Sequence, residues 1–146
     1  MTLHIGDIGH IIQLAIAPVF LVTGVGTNLL VLTNRLARII DRSRLLEDRL
    51  DSSPNAGYTE ELDTLYRRSH LINYAITLST ACGLLVCLVI AMLFIGDTLN
   101  LALDNYIAAF FVLGMLTLIG SFVYLLSEIF IASRSLRARR HARPKS

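Results

Sequence analysis

Every Lys and Arg of the chain, thirteen in all, falls in one of two stretches, Arg35 to Arg68 and Arg134 to Lys145, and the three long apolar runs contain none. Those runs are Ile11 to Thr33, Leu71 to Ile95 and Ile107 to Ile131, of 23, 25 and 25 residues. A helix rises about 1.5 Å per residue, so about 20 apolar residues cross a hydrocarbon core about 30 Å thick. Each run is long enough. In lipid the backbone must satisfy its own hydrogen bonds, which makes each run a helix. Hydrophobic residues make up 54% of the chain, above the usual share for a soluble domain. The sequence therefore predicts an all-α integral membrane protein, a single domain of 146 residues with transmembrane helices at 11–33, 71–95 and 107–131.

Basic residues flanking spans stay on the cytoplasmic side. Residues 34–70 and the tail 132–146 are accordingly expected inside, with the N-terminus (1–10) and the loop 96–106 outside. The outer segments carry only Asp7, Asp97 and Asp104 as charged residues, whereas the inner loop balances seven basic against seven acidic residues and the tail has six basic ones. The first ten residues contain no Lys or Arg and the first run is too long for a signal peptide, so Met1 is expected to remain.

Helical character extends past the first span. Leu32, Leu36, Ile39, Ser43, Leu46 and Leu50 recur at three- and four-residue steps, a narrow seam that carries the first helix to about Leu50. Asp51 to Gly57 concentrates turn-forming residues, and Thr59 followed by Glu60, Glu61 and Asp63 reads as a helix start. Leu62, Leu65 and Ile72 then lead without a break into the second span. The expectation is a cytoplasmic helical hairpin that extends the first two membrane helices. Pro18 and the Gly24/Gly26 pair read as a kink and a zone of tight packing or flexibility. Order is expected to fade beyond about Ala138.

Three sets of side chains stand out within the spans. Gln13, Thr23, Thr27 and Asn34 fall within an arc of about 80° on the first helix, continued by Arg38 and Arg42. A polar stripe in lipid faces protein or water, so these residues either bond across helices, or back to their own helix, or line a path between several copies. Ala75, Ser79, Gly83, Cys87 and Ala91 form a small-residue ladder at four-residue steps, suited to close helix packing within the chain or between chains. On the third helix Gly114, Thr117, Ser121, Tyr124 and Glu128 share a face. Glu128 is the one charged residue inside a span, and Arg35 or Arg38 lies at a depth suited to pair with it.

Chemistry is harder to find. Cys82 and Cys87 lie five positions apart on a helix, about 140° around it, and cannot bridge each other. His4, Asp7 and His10 are poorly disposed for joint metal ligation. No phosphate-cradling glycine loop, nucleophile elbow or zinc motif occurs. No enzyme activity, metal, cofactor or nucleic-acid partner is expected. The basic tail, Arg137 to Lys145, has anionic lipid headgroups as its nearest polyanion.

The segments Ile12 to Leu21, Asn28 to Leu32, Asn34-Arg-Leu-Ala-Arg-Ile-Ile-Asp-Arg42 and Arg67-Arg-Ser-His-Leu-Ile-Asn-Tyr-Ala-Ile76 together resemble the bacterial membrane family catalogued as domain of unknown function 2721. The resemblance runs from about His10 to Leu136 and implies a multi-pass protein of the bacterial inner membrane, without implying an activity. Two functions are expected from the residues themselves. The first is a homo-oligomeric channel or permeation path lined by the first helix; the second is a membrane accessory or scaffold protein that docks a partner through the charged hairpin.

Overall fold

The computed structural model describes residues 5–99 and 102–141, with side chains described for 8–99 and 102–134. Three helices account for nearly all of them: α1 (Ile5–Ser52), α2 (Ala56–Leu99) and α3 (Asp104–His141). Each is long and apolar enough to cross a membrane. In the most apolar windows of α1, α2 and α3 only 22%, 22% and 17% is buried by the rest of the chain. Leu30, Leu84, Leu116 and Phe130 are among the large apolar side chains turned outward. Surfaces of that extent are stable in hydrocarbon and not in water, which makes the chain a multi-pass membrane protein.

The helices outrun their apolar segments. At 48 residues α1 measures about 72 Å, more than twice the hydrocarbon thickness. It remains α-helical through Pro18, where the ring removes one backbone donor. Among the described residues nothing lies within 4 Å of a Cβ built on Gly24 or Gly26, so of the two alternatives for that pair, tight packing or flexibility, the first is not what occurs. Close approach occurs elsewhere: a Cβ on Gly83 meets Val25 Cγ1 at 3.4 Å, and one on Gly114 meets Val86 Cγ2 at 3.5 Å.

The turn between α1 and α2 is tighter than its composition indicates. The Ser53 N–H donates to the Arg49 carbonyl at 2.9 Å, closing α1. Asn55 then caps α2: its Oδ1 accepts from the Gly57 N–H at 3.0 Å and its carbonyl from the Tyr58 N–H at 3.0 Å. The helix therefore starts at Ala56 and not near Thr59, and Glu60 and Glu61 fall in its second turn. At its far end α2 continues through Gly96, Asp97 and Thr98 to Leu99, shortening the expected loop 96–106. Helix α3 extends to His141, past the expected limit of order at Ala138.

Two compact units divide the chain, one formed by Met1–Leu29 with Leu78–Ile119, the other by Leu30–Thr77 with Gly120–Ser146. In the first, Val25, Cys82, Val86 and Leu118 form the core, with Leu21, Val22, Leu29 and Ile90 packed around it. A buried side-chain bond runs from Asn28 Nδ2 to Ser79 Oγ at 3.2 Å. In the second, Leu32, Ile39 and Leu46 of α1 meet Leu65, Ile72 and Ala75 of α2, with Tyr124 and Leu125 of α3 against them. Here α1 and α2 are paired helices, and the seam from Leu32 to Leu46 is what buries them together. Ser121 Oγ donates to the Ala75 carbonyl at 2.8 Å, and Tyr74 and Tyr124 stack with ring centroids 5.7 Å apart.

Candidate functional site

Glu128 is completely buried. Its charge is met by two arginines, each giving two nitrogens to one carboxylate oxygen. Arg35 places Nε at 2.9 Å and Nη2 at 2.6 Å from Oε2; Arg68 places Nε at 2.9 Å and Nη2 at 2.7 Å from Oε1. Arg35 comes from α1, Arg68 from α2 and Glu128 from α3, so the triad ties all three segments of the second unit together. A buried carboxylate is tolerable only when fully bonded in this way. Among the described residues no buried side-chain nitrogen or oxygen lacks a partner.

Beside the triad lies a cleft of about 330 Å³ lined by Arg35, Arg38, Ile39, Arg42, Leu65 and Arg68. Arg35, Arg38 and Arg42 follow one another at three- and four-residue steps and so share a face of α1. Ile39 and Leu65 are both buried and supply an apolar floor. Arg42 donates Nε and Nη2 to Glu61 Oε1, both at 3.0 Å, and its side chain remains 41% exposed. A pair so exposed contributes about 0–1 kcal/mol. Arg38 is exposed and makes no ion pair with any described residue. Four guanidinium groups set against the carboxylates of Glu128 and Glu61 leave two positive charges unbalanced around the cleft.

A second polar contact joins the paired helices, where Tyr66 Oη donates to Glu47 Oε1 at 2.5 Å. That bond, and the negative charge of Glu47, raise the phenol above its ordinary range.

The structure redistributes several residues singled out from the sequence. Glu128 pairs with Arg35, and its second partner is Arg68 and not Arg38. Arg38 sits about 4.5 Å farther along α1 than Arg35, and both carboxylate oxygens are already occupied. Arg68 is the residue that sequence reasoning missed. Its signal was available: it lies three residues after Leu65 and four before Ile72, on the buried face of α2.

Gln13, Thr23, Thr27 and Asn34 are all exposed, turned away from the chain's own helices. Thr23 Oγ1 donates to the Val19 carbonyl at 3.2 Å and Thr27 Oγ1 to the Thr23 carbonyl at 3.1 Å, so both hydroxyls are satisfied within α1. Along the small-residue ladder Ala75 and Ser79 are buried and Gly83 half-buried, but Cys87 and Ala91 are exposed. The buried positions of α2 instead run Ala75, Ser79, Cys82, Val86, Val89, alternating steps of four and three. Strict four-residue steps rotate about 40° each around a helix, so such a ladder leaves the packed face after two of them. On α3, Gly114, Ser121 and Glu128 are buried and Thr117 and Tyr124 half-buried. Cys82 and Cys87 are both free thiols. The His4 and Asp7 side chains, and those of the basic tail Arg137 to Lys145, lie outside the described residues. Among the described residues no cluster of three His, Cys, Asp or Glu side chains is arranged to hold a metal.

The family model described as Protein of unknown function (DUF2721) matches residues 15–138. The chain belongs to this family. The matched span includes Glu128 and all four arginines of the cleft. Comparison with curated proteins and with solved structures gives no match. The DUF2721 membership fixes kinship without supplying a reaction, so what the site does must be argued from its own chemistry.

Proposed function

We propose that this DUF2721 protein is a membrane accessory protein that docks an anionic partner through the arginine-lined cleft of its paired-helix extension. The observation that carries this reading is the excess of guanidinium over carboxylate around the cleft. Arginine presents five N–H donors in a rigid fork matched to phosphate and carboxylate, and it cannot lose its charge. The cleft volume of about 330 Å³ falls at the lower end of the roughly 300–1,000 Å³ range of ligand pockets. Confinement of Lys and Arg to the stretches 35–68 and 134–145 supports an inner-membrane protein with its N-terminus outside and both the cleft and the tail in the cytoplasm. The test is calorimetric titration of the purified chain with inorganic pyrophosphate as a probe anion. Binding that weakens with salt and is lost in the double substitution Arg38→Gln, Arg42→Gln supports the reading; no binding at low salt rejects it. Cysteines placed at Thr98 and Ser52, in a chain lacking Cys82 and Cys87, test the orientation. Labelling of both by an impermeant reagent from one side rejects it.

A second reading, the homo-oligomeric channel, is favoured by one observation: the stripe of Gln13, Thr23, Thr27 and Asn34 is exposed and free to face other copies across an axis. Oligomeric mass followed by ion flux in liposomes tests it. Thr27→Phe should block flux and leave assembly intact, and a stable monomer in mild detergent rejects the pore.

A further inference from the structure

Accepting the anionic cleft proposed above, we infer that its ligand is a phosphate group, and that the phosphate belongs to an anionic membrane lipid. Three features point to a phosphate. Glu128 holds Arg35 and Arg68 by their Nε and Nη2 edges, so the carboxylate acts as a template that fixes both forks. A fork fixed in advance loses little conformational freedom when it binds. These bonds run through Nε and Nη2, so Nη1 of each guanidinium takes no part in them. Arg38, exposed and outside any ion pair with a described residue, supplies a third fork from the same wall. Several convergent N–H donors with net positive charge suit the tetrahedral oxygens of phosphate, which accepts bidentate bonds from arginine.

Depth points to the lipid. The first apolar run ends at Thr33, so Arg35 lies about 3 Å and Arg38 about 7.5 Å farther along the helix axis. The headgroup layer on one side of a bilayer is about 5–7.5 Å thick, half the difference between a core of about 30 Å and a full thickness of about 40–45 Å. Arg35 and Arg38 thus bracket the level at which lipid phosphates sit. Leu30 and Val31, just below on α1, are exposed apolar side chains that acyl chains can cover. The uncompensated charge of the cleft selects a headgroup with net negative charge over a zwitterionic one, in which a tethered ammonium cancels the phosphate.

The experiment uses the full chain in phosphatidylcholine nanodiscs, titrated with short-chain phosphatidylglycerol in one arm and inorganic phosphate in another, with bound lipid read by native mass spectrometry. Thermal unfolding of each variant reports that it is folded. Phosphatidylglycerol should be retained at least tenfold over phosphatidylcholine, and Arg38→Gln should abolish that preference. Arg44→Gln removes the same charge from an exposed position outside the cleft and should leave the preference in place. If inorganic phosphate binds in an Arg38-dependent way and phosphatidylglycerol shows no preference, the lipid source is wrong while the anionic cleft stands. If Arg44→Gln weakens retention as much as Arg38→Gln, diffuse charge attraction explains the binding and the site is refuted. If pyrophosphate also fails to bind, the reading of the cleft as a receptor falls with it.

Discussion

Replacing Glu128 with Gln removes the single charge on which the packing of α1, α2 and α3 in the second unit converges. The carboxylate accepts from four nitrogens, two on Arg35 and two on Arg68, at distances of 2.6 to 2.9 Å. Gln keeps one carbonyl acceptor and turns an amide donor toward the other guanidinium, so one fork loses its partner and the two positive charges lose their shield. Breaking a buried ion pair from one side typically costs about 3–5 kcal/mol. The arginine side chains are 33% and 20% exposed and can partly rehydrate in the cleft, which brings the expectation to about 2–3 kcal/mol. Arg35→Gln should cost less, about 1–2 kcal/mol, because Glu128 retains Arg68 while a charge already one-third exposed is removed. The double substitution Glu128→Gln, Arg35→Gln should then cost less than the sum of the two singles, since the arginine it removes is one that Glu128→Gln strands. Equilibrium unfolding in mixed micelles, followed by far-ultraviolet circular dichroism, measures all three. A Glu128→Gln protein within about 0.5 kcal/mol of the parent, or an Arg35→Gln protein less stable than it, would refute the triad as the tie between these helices.

Three further outcomes follow from the packing. Leu46 is fully buried in the seam between α1 and α2, and Leu46→Asp should destabilise by about 2–4 kcal/mol in the same unfolding assay; a loss below about 1 kcal/mol means the seam is not closed. Gly24→Ala should be neutral or stabilising by up to about 1 kcal/mol, because a methyl there meets nothing, whereas Gly114→Ile should cost about 1–3 kcal/mol against Val86 and Leu85; similar melting temperatures for the two variants would contradict the assigned contacts. Tyr66 should titrate above the ordinary phenol value of about 10, and in Glu47→Gln that elevation should fall. Because the folded value is raised, the contribution of this bond is complete below the unfolded value and disappears as pH rises through the folded one, which ultraviolet difference titration against Tyr66→Phe will follow.

The large-scale organisation is legible because charge and hydropathy act along the chain. Runs of 23 to 25 residues without Lys or Arg leave few alternatives to helices, and the seam from Leu32 to Leu50 announces that α1 continues beyond its apolar part. Details that depend on which neighbour arrives from elsewhere are less visible. The acidic residues after Thr59 point to a helix start there, yet Asn55 reaches the backbone first and caps a helix that begins three residues earlier. The small-residue ladder looked regular in sequence, but packed helices follow alternating three- and four-residue steps, so Cys87 and Ala91 rotate out of the contact. Arg68 is one of seven basic residues between the first two spans, and its charge alone does not single it out. Only its placement between Leu65 and Ile72 aims it inward, and that requires the helix to be followed without a break from the turn into the apolar run.

The bond between Asn28 and Ser79 has a consequence for sliding. Val25, Cys82 and Val86 are of similar bulk, and an interface built from such side chains alone would tolerate displacement by one seven-residue repeat, about 10.5 Å, with little change in van der Waals contact. That displacement parts the amide from the hydroxyl and forfeits a buried bond. A polar pair in a mostly apolar seam therefore works as a detent: it adds little to the depth of the correct energy well and raises the neighbouring wells on either side.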